Sequence, residues 1–146
     1  MLHFGTPEPR PDDAARALRC AAEMLAEMER GNTERVAQGE APIHVGIGLH
    51  YGDVIVGNIG DERRLEYTVL GDTVNVASRL EALTRSLQSP LVTSAPLIEA
   101  ARRAGADPLQ VLPDLIPGKA VQVRGRAVPV GVWHLLTPDP VAKVQA

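Results

Sequence analysis

Apolar residues in the first third of the chain recur with a helical period. Ala14, Leu18, Ala21, Leu25 and Met28 are spaced three or four apart, which predicts a helix from about Asp12 to Arg30 with Gly31 as its stop. Asp12 and Asp13, just after Pro11, suit the positive end of that helix and are expected to cap it. A polar loop runs to Pro42, after which the pattern shortens. Ile43 to Leu49, Val54 to Ile59 and Leu65 to Leu70 read as three strands. His50-Tyr51-Gly52-Asp53 joins the first two, and a solvated turn at Asp61-Glu62 joins the last two. The helical period returns with Val76, Leu80, Leu83 and Leu87. Gly71 closes the strand before them and Asp72 is the expected N-cap, so this second helix should start at Thr73. Farther on, Leu91-Val92-Thr93 reads as a buried strand and Pro96 to Arg103 as a helix with Pro in its first turn. Gln110-Val111-Leu112 and Val128 to Leu136 read as later strands, with a hairpin over Val121 to Val128. Thr137-Pro138-Asp139-Pro140 opens a tail expected to be loose, which divides the chain into a domain over 1–136 and a tail over 137–146. Helices against a mainly antiparallel sheet make the expected fold class α+β.

Composition narrows the range of functions. Apolar residues make up 45% of the 146 positions but aromatics only 3%, so the core must be built from Val, Leu, Ile and Ala. The net charge of −3, with no basic stripe and no aromatic platform, argues against nucleic-acid binding. No apolar run approaches the roughly 20 residues a bilayer requires, and no signal peptide precedes the first helix. Cys20 is the only cysteine, which excludes an internal disulfide and suits a reducing compartment. A cytoplasmic location is therefore expected. His3, His44, His50 and His134 lack cysteine or carboxylate partners at zinc-like spacing and read as ordinary strand or surface residues.

The most specific chemistry lies where the third strand meets the second helix. Asn75 and Arg79 are four residues apart, which sets an amide and a guanidinium on one flank of a helix whose other side is apolar. From spacing alone the favoured reading is that they are the wet edge of an amphipathic helix, and that Thr68 is an ordinary strand residue. The run from Ile43 to Glu81, however, resembles the second half of a class III adenylate/guanylate cyclase catalytic domain. The likeness rests on Gly46-Ile47-Gly48-Leu49-His50-Tyr51-Gly52, on Val56-Gly57-Asn58-Ile59-Gly60, and on Arg64 through Leu80, which contains Val74-Asn75-Val76-Ala77-Ser78-Arg79-Leu80. It extends more faintly to Met1-Leu2-His3-Phe4-Gly5 and to Val123-Arg124-Gly125-Arg126.

The resemblance implies roles for individual residues. Asn75 would orient the ribose of a bound nucleotide, and Arg79 would stabilise the charge that builds on the α-phosphate in the transition state, a task suited to a fixed, multiply donating guanidinium. Thr68 falls where family members read the purine; Thr at this place favours ATP, although a hydroxyl both donates and accepts and so discriminates less than a carboxylate. Arg124 stands where the family usually has a triphosphate-contacting Lys, and it keeps the charge while changing its geometry. Its bland alternative is a solvated charge on a hairpin.

The resemblance also implies what should be missing. Two aspartates that hold Mg²⁺ or Mn²⁺ in the family, and a purine-contacting Lys, belong to a part of the domain that precedes the segment resembling Met1 to Gly5. The implied fold is a ferredoxin-like cyclase core without its first strand, with Met1 to Gly5 as the remnant of a later one. Alone the chain is expected not to be a competent cyclase, because phosphoryl transfer of this kind relies on metal to bridge the phosphate oxygens. Its implied partners are ATP and a second cyclase catalytic domain, since family sites form between two domains. A catalytically silent dimerisation or regulatory module, and a generic ferredoxin-like ligand domain, are the alternatives.

Overall fold

The computed structural model describes residues 1–61, 64–123 and 126–136. Its first element, α1 (Asp13–Ala37), runs seven residues past the expected end. Gly31 has open space where a Cβ would be and simply stays helical, a cost of about 1 kcal/mol that its neighbours absorb. Asp12 occupies the N-cap position without a side-chain cap. Asp13 is instead buried, accepting from the backbone N–H of Arg10 at 2.7 Å and pairing with Arg16 at 2.9 Å. Residues 1–5 form no strand, and Met1 and Leu2 are exposed, so the strand remnant expected there is not formed.

Among the described residues, six strands follow in two sheets. β1 (Ile47–Leu49), β4 (Leu91–Ser94), β6 (Val132–Leu135) and β5 (Leu115–Pro117) lie side by side in that order. β1 is parallel to β4, and the other two pairings are antiparallel. β2 (Ile55–Asp61) and β3 (Arg64–Leu70) form a separate antiparallel ribbon in register from Ile55↔Leu70 to Asp61↔Arg64. The turn expected at Asp61-Glu62 falls at the end of this ribbon, and Glu62 lies outside the described residues. β1 begins four residues later than expected, because residues 43–46 pair with no strand.

α2 (Asp72–Ser86) and α3 (Ala95–Arg103) flank β4, and a single turn, α4 (Pro108–Val111), precedes β5. No strand forms at Gln110-Val111-Leu112: Gln110 and Val111 are helical and Leu112 follows the helix end. Pro108 in the first turn and Asp107, whose carboxylate accepts from Leu109 N–H at 3.0 Å, start a helix there and override the apolar triplet. The strand expected over Val128 to Leu136 is shorter, and the hairpin over Val121 to Val128 reduces to a bridge between Val121 and Val130.

β4 organises the core because it is buried on both faces. Leu91 packs with Ala14, Leu18, Ala21, Leu97, Ile98 and Ala101, so α1 and α3 cover one side of the sheet. Val92 packs with Val76, Leu80, Val123, Val130 and Val132, so α2 covers the other. The result is an α+β fold with its core in two apolar layers on a mainly antiparallel sheet. β1 lies very close to α2: a Cβ at Gly48 would fall on the backbone of Glu81 and Ala77, a separation only glycine permits.

Candidate functional site

α2 begins where β3 ends, and Gly71 makes the change of direction possible. Its φ of 143° lies where side chains are rarely tolerated. Gly71 is itself the N-cap residue, with its carbonyl 3.2 Å from Val74 N–H. Asp72, expected to cap, is the first helical residue and makes no cap hydrogen bond. Its carboxylate turns sideways to meet Arg126 Nε at 2.5 Å, across 54 residues of sequence. Asp72 remains favourably placed at the positive end of the helix. Thr73 ties the same turn to the loop before β2, donating from Oγ1 to the Asp53 carbonyl at 2.6 Å.

One turn farther along, Asn75 and Arg79 are exposed while Val76 and Leu80 are completely buried. The apolar stripe thus holds α2 down and leaves the amide and guanidinium on its outer flank. Leu83 is partly buried, and Leu87, the last expected member of the stripe, is 39% exposed just beyond the helix end. Thr68 sits on β3 opposite Gly57, three residues before Gly71, and is placed by its backbone register alone. Arg124 lies outside the described residues. Its neighbour Val123 is buried against α2, and Arg126 N–H bonds back to the Val123 carbonyl at 3.0 Å. Two of the four expected site residues, Asn75 and Arg79, are therefore brought together on α2, with Thr68 on the adjoining strand.

Sequence reasoning missed the groups around His50. Its Nδ1 is 2.8 Å from Ser94 Oγ, while its Nε2 is buried without a partner among the described residues. Burial first, and the nearby Arg126 second, push its pKa down from 6.5 to about 4, against the opposing pull of Asp72. Ser94 also caps α3 by accepting from Leu97 N–H, so its own proton is available to the imidazole. No spacing rule links residues 50, 72, 94 and 126; only the fold does.

A concavity of about 750 Å³ is lined by Leu83, Leu87, Lys119, Val121 and His134 among others, and reaches neither Asn75 nor Arg79. Asn75 and Arg79 instead stand on an open face. Among the described residues, no three His, Cys, Asp or Glu side chains gather where a metal ion could be held. Asp72, the acidic side chain nearest Asn75 in sequence, is taken up by Arg126. This donor set does not fit the divalent ion implied by the resemblance.

The sequence profile of the adenylate and guanylate cyclase catalytic domain matches residues 1–98. The chain belongs to this family. It is 31% identical over 123 residues to an adenylate cyclase of Anabaena cylindrica, covering 82% of this chain and 24% of that protein. It is 36% identical over 85 residues to adenylate cyclase 1 of Rhizobium meliloti, covering 58% of this chain and 13% of that protein. The cyclase-family chain thus spans less than a quarter of the length of either relative. Among solved structures it is similar to the guanylyl cyclase Cya2, with a TM-score of 0.69 and 33% identity over 90% of this chain and 62% of that one. It is also similar to a bacterial light-regulated adenylyl cyclase, with a TM-score of 0.66 and 32% identity over 86% of this chain and 34% of that one. The α+β architecture is accordingly that of the cyclase core. No described helix is long and apolar enough to cross a membrane.

Proposed function

We propose that this chain supplies the base, ribose and transition-state contacts of an adenylate cyclase site that converts ATP to cyclic AMP and diphosphate. The observation that carries this reading is the exposure of Asn75 and Arg79 on α2, one turn apart and directly beside the fully buried Val76 and Leu80. An anchored helix holds both groups in fixed relation, as positioning of a reacting nucleotide requires. Arg79 would meet the charge that accumulates as the 3′-oxygen bonds to the α-phosphorus and the bond to the departing diphosphate breaks. Asn75 would hold the ribose so that this oxygen faces the phosphorus. Thr68 on the adjoining strand favours adenine, and Arg124 would attract the triphosphate.

The carboxylates that hold Mg²⁺ or Mn²⁺ would come from a second catalytic domain, since the described residues here do not offer such a set. The test is complementation. A cyclase domain that keeps its metal aspartates but carries alanine at its own transition-state arginine is mixed with this chain, and cyclic AMP is measured. Activity should appear in the mixture and fall by about 10²- to 10³-fold when Arg79→Ala is used. Dimer formation without recovered cyclic AMP would sink the reading in favour of a silent regulatory module.

A further inference from the structure

The α2 face of the sheet is not wholly covered. Val132 and His134 alternate with Trp133 and Leu135 along β6, so they share the face on which Val132 packs with Val76 and Leu80. Val132 is 3% exposed, but His134 is only partly buried. After β5 the chain leaves the sheet: Gly118 N–H still reaches the Val132 carbonyl at 2.8 Å, and pairing resumes only at Val121 with Val130. Lys119 and Ala120 in between are exposed. This segment, β6 and the last turn of α2 enclose the concavity of about 750 Å³. Its size lies within the roughly 300–1,000 Å³ of small-molecule sites.

The walls are aliphatic. Leu83 and Leu87, one helical turn apart, line the concavity together with Val121 and Val132. Gly118 cannot fill it, since a Cβ there would come within 3.0 Å of His134 Cδ2 and 3.2 Å of Val132 Cγ2. The polar groups are few and of one sign. Among the described residues, no acidic side chain lines the concavity, and Lys119 brings its one fixed charge without an ion-pair partner. His134 Nε2 also has no hydrogen-bond partner among them. The C-terminal end of α2, which repels anions, has its carbonyls occupied. The Leu83 carbonyl accepts from Leu87 N–H at 2.9 Å and Ser86 Oγ at 3.1 Å, and the Thr84 carbonyl from Ser89 N–H at 3.0 Å. A ligand would therefore set its apolar part against the helix end and its negative charge toward Lys119.

We infer that this concavity is a binding site for a short aliphatic carboxylate, with its chain on Leu83, Leu87, Val121 and Val132 and its charged end on the Lys119 ammonium. The site shares no residue with the proposed nucleotide site, although Leu83 is one turn from Arg79 on α2, and it stands independently of the cyclase reading.

Octanoate is the probe, with 1-octanol and octylammonium as its neutral and cationic counterparts. Binding to the full chain is followed by nuclear magnetic resonance of the His134 ring, assigned by its loss in His134→Gln. Octanoate should bind saturably at a dissociation constant on the order of 1 mM, moving the His134 signals and leaving those of His3 and His44 in place. Lys119→Gln should weaken octanoate by roughly three- to fivefold and leave 1-octanol unchanged. Leu87→Ser should weaken both by a similar factor, and the partial exposure of Leu87 beyond the helix end lets the fold tolerate it. Lys119 is exposed, so its variant tests the charge even if Leu87→Ser melts early. Octylammonium binding as tightly as octanoate, or octanoate affinity unchanged in Lys119→Gln, overturns the inference. So does octanoate binding that leaves the His134 ring unmoved or shifts His3 and His44 equally.

Discussion

Among the described residues, His50 is the one whose acid–base chemistry the fold alters most. Burial and Arg126 hold its pKa near 4, below the 6.5 of an ordinary histidine, so the folded chain keeps the ring neutral where an unfolded chain would protonate it. The sign follows directly. Stability from this residue is fully present above about pH 6.5 and is lost as the pH falls from there toward 4, because the unfolded state binds the proton first. Partly buried as it is, His50 should account for roughly 1–2 kcal/mol across that window. Denaturant midpoints measured from pH 7.5 to 4 should fall more steeply for wild type than for His50→Gln, which removes the titration while carboxylates elsewhere titrate in both. Parallel curves would show that the ring is not held neutral. None of this was legible in the sequence, where His50 had no cysteine or carboxylate partner at a recognisable spacing and read as an ordinary strand or surface histidine at the start of a connection between two strands. The placement of Asn75 and Arg79 on the exposed flank of a helix was legible from a four-residue separation beside an apolar stripe, whereas the roles proposed for them came from the resemblance alone.

At the scale of elements, local pattern succeeded where packing and propensity agree. α2 was visible from Val76 and Leu80, and β4 from three consecutive apolar or β-branched residues. It failed at Gln110-Val111-Leu112, where a proline and an N-capping aspartate outweigh a strand-like triplet, and at Gly31, where a glycine passes unnoticed through an exposed helix. The close approach of β1 and α2 was also invisible, although the glycines that allow it were quoted as part of the resemblance. Gly48 faces the backbone of Glu81 and Ala77 rather than a flexible side chain, so nothing nearby can yield by rotating. Gly48→Ala should therefore push α2 off the sheet and cost about 3 kcal/mol or more, at the severe end for a single substitution. Gly46→Ala should be milder, since the group it would meet first is the Thr84 hydroxyl. Thermal unfolding of the two variants side by side checks the ranking, and a Gly48→Ala protein as stable as wild type would mean that β1 and α2 are not in contact.

For the whole molecule, the decisive feature is that its proposed chemistry faces outward. Asn75 and Arg79 are exposed, and the concavity of about 750 Å³ does not reach them. A site of this kind excludes water only when a second body covers it. In the proposed dimer, the β2–β3 ribbon would offer such a body a landing place beside α2. Ile55 and Leu70 are direct cross-strand partners where the ribbon approaches Gly71, and they are 72% and 48% exposed. Cross-strand apolar pairs left in water at the edge of an outward-facing site are what a partner domain would bury. If the cyclase reading is right, Ile55→Ser together with Leu70→Ser should raise the dissociation constant of the complementing dimer by about tenfold, as loss of a small apolar anchor does. The melting temperature of the isolated chain should stay nearly the same, because neither residue is buried in it. Sedimentation of the mixed domains gives the first quantity and thermal unfolding of the chain alone gives the second. Unaltered association with the double substitution would place the partner on another face, and Asn75 and Arg79 would then have no cover.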